Sequence, residues 1–306
     1  MTDIDNNIYH IPALLKETIE GLNIHPGGVY ADVTFGGGGH SRAILEALDS
    51  DGRLYGLDRD LDAVANAPDD DRFTFVRSDY RYLRNFARYH GEERFDGILA
   101  DLGVSFHHFD DASRGFSFRT DAPLDMRMNR KGEITAADIV ADYSEDQLIT
   151  LMRTFTDLKH PAGVARAIVK AREAEPVATT FQLVEAVKKA INPRHEKKDL
   201  AQIFQALRIE TNNEMDSLKR FLESTPSLLT KGGRLAILTY HSIEDRIVKN
   251  FMKTGNVEGK EEKDFFGRVN TPWKLITRTP VTASEEEVDA NPRSRSAKLR
   301  IAEFIG

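Results

Sequence analysis

Three acidic residues stand at or near the carboxyl ends of predicted strands, where they favour a cofactor that carries positive charge. Asp58 and Asp101 each end an apolar run, and Asp32 lies just before a glycine run at residues 36–39. Glycines leading into a helix let a ligand approach the backbone and meet its N–H groups. The spacing from the glycine run to Asp58 is usual for an acid that grips ribose hydroxyls. These residues indicate that a nucleoside-containing cofactor lies across the end of a parallel sheet.

The glycine run does not fit the two common phosphate-binding patterns. The dinucleotide pattern G-x-G-x-x-G would need a third glycine at Ser41 or Arg42, and no Gly-Lys-Ser/Thr tripeptide follows. Because an acid-lined cleft without a cation in its loop suits a sulfonium and an amino group, S-adenosylmethionine is favoured over NAD. The alternative is a glycine-rich turn in an α/β protein that binds no nucleotide.

Composition limits the other classes of function. The 306 residues are 40% hydrophobic, which is ample for a large core and two domains. A net charge of -7 argues against indiscriminate nucleic-acid binding, and the absence of cysteine excludes disulfides and thiolate chemistry. We expect no metal site and no membrane span. The polar, acidic first seven residues are unlike a signal peptide, so we expect a cytoplasmic protein.

Apolar runs alternate with helical patterns in the first hundred residues. Strands are predicted over residues 29–34, 54–58, 73–76 and 97–101, with helices between them, and another strand at 233–240 is followed by a helix from Ser242. This alternation predicts an α/β fold with a doubly wound parallel sheet. Ligands of such sheets bind outside the carboxyl ends of the strands.

The alternation stops between about residues 107 and 213, where helical periodicity dominates. Helices are predicted over 144–155, with Ser144 as N-cap, over 162–174 and 180–191, and from Lys198. We therefore predict a split domain, residues 1–106 and 214–306, and an inserted all-helical domain, residues 107–213. Near the end of the chain, segments 274–279 and 297–304 are predicted to pair as a closing hairpin.

Asp101 and the segment at 114–128 are candidates for the substrate side. Asp101 is either an acceptor next to the cofactor's methyl group or a cap of the following turn, and for a lone Asp the two interpretations weigh equally. Phe116 and Phe118 are either core anchors or, with Arg114 and Arg119 beside them, residues that stack on a base and hold its phosphate.

A second candidate segment follows the strand at 233–240. Ser242 and Asp245 have the spacing of a capping box, which leaves Tyr240 and His241 facing the ligand side. His241 is either a general base or a structural histidine. Nearby Arg246 belongs to a basic cluster.

Basic residues also gather near the end of the chain. A charge run is usually only a solvated face. However, Arg293 and Arg295 belong to a stretch without acids from Pro292 to Ala302, and against an acidic background this stretch is a candidate phosphate contact.

Nearly end to end, the chain resembles the bacterial small-subunit ribosomal RNA methyltransferase H (MraW) family. The resemblance is carried, in order, by residues 9–12, 36–41, 58–60, 101–105, 114–118, 123–128, 204–209, 241–246 and 291–295. It implies a Rossmann-like class I methyltransferase fold and N4-methylation of a decoding-centre cytidine in 16S ribosomal RNA by S-adenosylmethionine. The implied partner is the small ribosomal subunit.

The resemblance also implies which residues bind the cofactor. These are Gly38, Gly39, His40, Asp58, Tyr80, Asp101 and His108. His108 stands where the family commonly has Gln, and Tyr240 replaces a frequent Phe. Asp101 is the candidate acceptor for an amine N–H. Two other hypotheses stay open: a methyltransferase with a non-RNA acceptor, and a ribosome-binding assembly factor that retains a cofactor pocket.

Overall fold

The computed structural model describes residues 12–103 and 111–306 of the chain. Its contacts divide the chain into two compact units. The first unit contains the residues up to Gly103 and Asp216–Gly306, and the second contains the residues between them.

One sheet of eight strands lies in the described part of the first unit. The strands are β1 (Val29–Asp32), β2 (Arg53–Asp58), β3 (Phe73–Arg77), β4 (Phe95–Asp101), β5 (Leu229–Thr239), β6 (Trp273–Leu275), β7 (Val281–Thr282) and β8 (Lys298–Phe304). Their order is β3-β2-β1-β4-β5-β8-β6, with β7 paired to β8. The first five strands in this order run parallel. This confirms the predicted doubly wound sheet.

The centre of the sheet is covered on both faces, as expected for parallel strands with helical crossovers. Ile98, Leu99 and Ala100 are successive residues of β4, and all three are fully buried. The helices of this unit are Leu15–Leu22, Gly39–Ala47, Leu83–Tyr89, Ser242–Thr254, Glu285–Ala290 and most of Glu214–Ser224. Strand order reverses between β1 and β4, and a crevice at the carboxyl ends is expected at such a reversal.

The last strands close the sheet in antiparallel fashion. β6 pairs with β8, which confirms the predicted pairing of segments 274–279 and 297–304. β8 also pairs with β5, so it forms part of the main sheet and not only a hairpin. Trp273 of β6 is buried against Phe251 and Phe304, which anchors this edge.

The described part of the second unit is helical. Its helices are Ala136–Asp142, Glu145–Phe155, Pro161–Ala174, Thr180–Val187 and Glu196–Thr211. Ser144 is the N-cap of the second of these helices, as predicted, and it forms a reciprocal capping box with Gln147. In residues 111–215, β pairing is limited to an isolated bridge between Pro123 and Thr179. The helix predicted to reach residue 191 ends at Val187, and a turn precedes Pro193.

Candidate active site

The glycine run turns the chain from β1 into helix Gly39–Ala47. Gly38 is the residue before this helix and has φ 74°, a left-handed conformation that disfavours residues with a Cβ. A Cβ at this position would lie 2.8 Å from Cζ of Phe35. A Cβ at Gly39 would lie 2.9 Å from the ring of Pro12. The tight approach of these neighbours therefore requires glycine at positions 38 and 39.

Asp58 ends β2 and binds the glycine run directly. One carboxylate oxygen accepts the N–H of Gly36 at 2.8 Å, and the other accepts the N–H of Asp60 at 2.8 Å. These bonds hold the loop at the end of the neighbouring strand. Because a carboxylate offers about four acceptor positions, it can accept ribose hydroxyls as well.

Asp32 is buried beneath the loop. Its carboxylate accepts the hydroxyl of Ser41 at 2.7 Å and the N–H of Thr34 at 3.2 Å, and burial raises its pKa. These bonds join the end of β1 to the first turn of the helix. Asp32, which precedes the glycine run, therefore stabilises the conformation of the loop through these hydrogen bonds.

Asp101 ends β4, the strand next to β1. Its backbone N–H donates to Oγ1 of Thr34 at 2.6 Å, and Oδ1 accepts the hydroxyl of Tyr240 at 2.8 Å. The side chain remains 23% exposed. Burial raises its pKa to about 7, and nearby Glu244 adds to the effect, whereas the bond from Tyr240 lowers the pKa. Asp101 can therefore take up and release a proton near neutral pH.

His40 lies on the other side of the Asp101 carboxyl. Its Nε2 lies 3.2 Å from the carbonyl oxygen of Ala13, which can only accept, so Nε2 carries the proton. Its Nδ1 lies 3.6 Å from Oδ2 of Asp101. Burial lowers the pKa of His40 and favours the neutral ring. A lone pair therefore faces the second oxygen of Asp101.

Two further predicted cofactor contacts stay predictions. Tyr80 follows β3 and is 8% exposed, and its ring packs edge-to-face with Phe221 at a centroid distance of 5.4 Å. His108 lies outside the described residues. The first unit thus brings Gly38, His40, Asp58 and Asp101 to the carboxyl edge of the sheet.

The basic residues predicted to contact RNA are not equivalent. In the second unit Arg119 is exposed, and in the first unit Arg246, Arg293 and Arg295 are exposed. Arg114, by contrast, is only 3% exposed and donates to the carbonyls of Arg127 and Met128 at 2.8 and 3.0 Å. Its guanidinium crosslinks the loop that carries it, so we remove Arg114 from the candidate RNA contacts.

The predicted capping box at Ser242 and Asp245 is wrong. The N-cap of helix Ser242–Thr254 is His241, whose ring accepts the N–H of Glu244 at 3.4 Å. Asp245 instead binds the buried guanidinium of Arg300 in a bidentate pair at 2.6 and 3.1 Å. The ring of His241 therefore serves the helix end, which favours the structural interpretation over a general base.

Sequence reasoning missed two contacts of Asp101. Thr34 fixes its backbone, and the hydroxyl of Tyr240 binds its side chain. The position of Tyr240 directly after β5 was a usable signal for the carboxyl edge, but nothing in the pattern paired it with Asp101.

Comparison with known proteins decides the family. Residues 7–305 match the MraW methylase family. A protein of Phocaeicola vulgatus named ribosomal RNA small subunit methyltransferase H is 56% identical over 296 residues, 97% of each chain. A protein of Bacteroides thetaiotaomicron with the same name is 56% identical over 299 residues, 98% of each chain.

The chain belongs to the MraW methylase family. Membership confirms the resemblance carried by the sequence motifs and assigns the chain to the methyltransferases. A solved rRNA methylase from Streptococcus thermophilus is 12% identical, with a TM-score of 0.37, and covers 95% of this chain and 94% of its own. In the described residues of this family member, no helix is long and apolar enough to cross a membrane.

Proposed function

We propose that the protein transfers a methyl group from S-adenosylmethionine to N4 of a cytidine in the decoding centre of 16S ribosomal RNA. The observation that carries the proposal is Asp101, a partly exposed carboxyl with a pKa of about 7 at the carboxyl edge of the sheet. The name of the relatives from Phocaeicola vulgatus and Bacteroides thetaiotaomicron, ribosomal RNA small subunit methyltransferase H, supports the substrate.

The residues at the sheet edge fit S-adenosylmethionine chemically. Asp58 offers acceptor positions for ribose hydroxyls beside a glycine run through which a ligand can reach the backbone. Asp101 supplies negative charge when ionised, and the guanidinium of Arg42, next to the glycine run, donates to the carbonyls of Gly37 and Asn66 at 2.8 and 3.2 Å. A cofactor with a cationic sulfur is therefore favoured over one with a pyrophosphate, and Gly38, Gly39 and His40 would line its site.

Asp101 is the proposed proton acceptor of the reaction. The bound cofactor supplies a methyl group on a positively charged sulfur. The lone pair of the cytidine amine is delocalised into the ring, so the amine is a weak nucleophile. An ionised Asp101 would accept a hydrogen bond from the amine N–H and take its proton as the N–C bond forms and the S–C bond to the methyl group breaks, which leaves neutral S-adenosylhomocysteine.

The exposed arginines are proposed to position the RNA. Exposed guanidinium groups in each unit would contact phosphates. They belong to Arg119 in the second unit and to Arg246, Arg293 and Arg295 in the first. Phosphate contacts set the register of a nucleic acid without reading its sequence. The target base must leave its stack to be modified, which favours an exposed or flipped cytidine. We propose the small ribosomal subunit as the partner.

The acceptor is tested with tritiated S-adenosylmethionine and small subunits that lack the modification. The product is separated into ribosomal RNA and ribosomal protein, and wild type is compared with Asp101→Asn, which retains the size of the side chain but is a much weaker proton acceptor. We expect label in RNA and a loss of kcat of roughly 10²- to 10⁴-fold in the variant. Label in protein would indicate a different acceptor, and binding to subunits without label would indicate the assembly-factor hypothesis.

A further inference from the structure

The carboxyl of Asp101 lies between the hydroxyl of Tyr240 and the ring of His40. The hydroxyl of Tyr240 donates to Oδ1 at 2.8 Å, and a donor favours the carboxylate. Nδ1 of His40 lies 3.6 Å from Oδ2, which is beyond hydrogen-bond distance. The backbone at Asp101 is fixed by its bond to Thr34.

Tyr240 is itself held firmly. It follows β5, and its backbone N–H donates to Oε2 of Glu244 at 3.2 Å. A Cβ on Gly103 would lie 3.3 Å from Cδ2 of its ring, so Gly103 leaves room for that ring at close range. Burial and nearby carboxylates raise the pKa of Tyr240 well above its ordinary value, so the hydroxyl stays protonated and acts as a donor.

Within residues 12–103 and 111–306, the other charged groups that act on this pair are carboxylates. Glu244 on helix Ser242–Thr254 acts on both Asp101 and Tyr240, and Glu287 on helix Glu285–Ala290 acts on Tyr240. Asp32 of β1 is coupled electrostatically to Asp101 from below the loop. Negative charge nearby raises the pKa of Asp101, whereas the hydrogen bond from Tyr240 lowers it.

We propose that Tyr240 is a positioning residue, whose hydroxyl holds the Asp101 carboxyl ionised and oriented toward the amine whose proton it accepts. This inference rests on the proposed function and adds to it a residue of this chain, at a position where the family frequently has Phe, that favours the ionised form of Asp101. Tyr240 does not touch the reacting atoms; it acts through one oxygen of Asp101 and leaves the other side of the carboxyl to His40.

The test is Tyr240→Phe, which removes the hydroxyl and keeps the ring. Without the donor the pKa of Asp101 rises, so the acid limb of log kcat/KM against pH moves to higher pH. For a shift of about one unit from about 7 we expect kcat/KM for S-adenosylmethionine, which reports the pKa of the free enzyme, to fall roughly tenfold at pH 6 and less than about twofold at pH 9. A profile that superimposes on that of wild type, or an equal loss at every pH, would overturn the inference.

Tyr55→Phe is the matched control. Tyr55 is buried, whereas Tyr240 is partly buried, and it likewise donates to a carboxylate, Glu92, at 2.8 Å, but it lies within β2 and not at the carboxyl edge of the sheet. We expect this variant to keep the wild-type pH profile. A shift as large as that of Tyr240→Phe would assign the effect to general loosening of the fold and overturn the positioning role.

A second readout does not depend on catalysis. In protein labelled with ¹³C at the aspartate carboxyls, the Asp101 signal is assigned by its loss in Asp101→Asn, and its titration is followed by NMR. We expect a higher midpoint in Tyr240→Phe, and an unchanged midpoint would overturn the inference even if the enzyme is active. If the wild-type protein methylates no RNA although the midpoint is raised in Tyr240→Phe, the proposed function is overturned. The catalytic part of the inference is then overturned with it.

Discussion

At Asp101, burial and a tyrosine hydroxyl act on one carboxyl in opposite directions. Burial and nearby Glu244 raise its pKa, the bond from Tyr240 lowers it, and the net pKa is about 7. Such perturbed groups cluster at functional sites because catalysis needs groups that titrate near the working pH. The sequence marked Asp101 as a candidate from its position alone, whereas its pKa depends on a partner 139 residues away, which no local pattern reveals.

The first prediction at the residue scale concerns cofactor affinity and pH. A sulfonium favours the ionised form of Asp101, so binding releases a proton wherever the free carboxyl is protonated, which is below about pH 7. We expect the affinity for S-adenosylmethionine to rise from pH 6 to pH 8. S-adenosylhomocysteine, whose sulfur is neutral, should show a weaker dependence. Calorimetric titration of both ligands checks this, and parallel curves would contradict it.

A second prediction separates two arginines that look alike in sequence. Arg114→Ala leaves the carbonyls of Arg127 and Met128 without the donor that now satisfies them, so we expect the free energy of unfolding to fall by roughly 1–3 kcal/mol. Arg119→Ala removes an exposed side chain and should leave stability within about 0.5 kcal/mol of wild type. Urea denaturation measures both variants. Equal stability of the two would show that the buried guanidinium does not support the loop.

At the scale of elements, the loop and helix after β1 form the part of the site that depends most on local sequence. The strand, the glycine run and helix Gly39–Ala47 were all predictable, because the glycines and the apolar period lie within a few residues of each other. The N-cap of helix Ser242–Thr254 was not predictable in this way. His241 took the place expected of Ser242, since Asp245 pairs with Arg300, 55 residues away. Tertiary contacts thus overrode a sound local pattern.

Neighbouring glycines in the loop provide the prediction at this scale. Gly38→Ala forces a Cβ into a left-handed residue and against Phe35, and we expect it to cost about 1–2 kcal/mol or more of unfolding free energy. Gly37→Ala is the control, because no heavy atom of the described residues, apart from its two chain neighbours, lies within 4 Å of its added Cβ and its φ is not positive. Thermal and urea denaturation should show a loss only for Gly38→Ala. The same loss in both variants would mean that the loop does not require its left-handed turn.

For the molecule as a whole, the doubly wound parallel sheet and the helical character of residues 111–215 were predictable from the alternation of patterns and its interruption, whereas the order of the strands was not. The helix Ala136–Asp142 was missed because only seven residues carry its period. The helical periodicity of apolar residues does not indicate what the second unit would bind. Because the net charge of -7 does not attract RNA, the proposed RNA contact depends on local groups of exposed arginines.

Charge reversal tests this distribution of charge. Arg295 is exposed in the acid-free stretch near the end of the chain, and Lys231 is exposed near the amino end of β5, away from the carboxyl edge of the sheet. We expect Arg295→Glu to raise KM for small subunits and to lower the salt dependence of binding by about one unit of slope, with cofactor affinity unchanged. Lys231→Glu makes the same change in net charge and should leave KM near the wild-type value. Equal effects would assign the change to net charge and not to a phosphate contact.

The most direct test of the central claim is the identity of the methylated atom. Small subunits that lack the modification are incubated with the protein and S-adenosylmethionine carrying a trideuterated methyl group, and their ribosomal RNA is digested to nucleosides for mass spectrometry against N4- and C5-methylcytidine standards. We expect trideuterated N4-methylcytidine with wild type and strongly reduced product with Asp101→Asn. A trideuterated methyl group on another atom or nucleoside, or full activity of the variant, would contradict the proposed reaction.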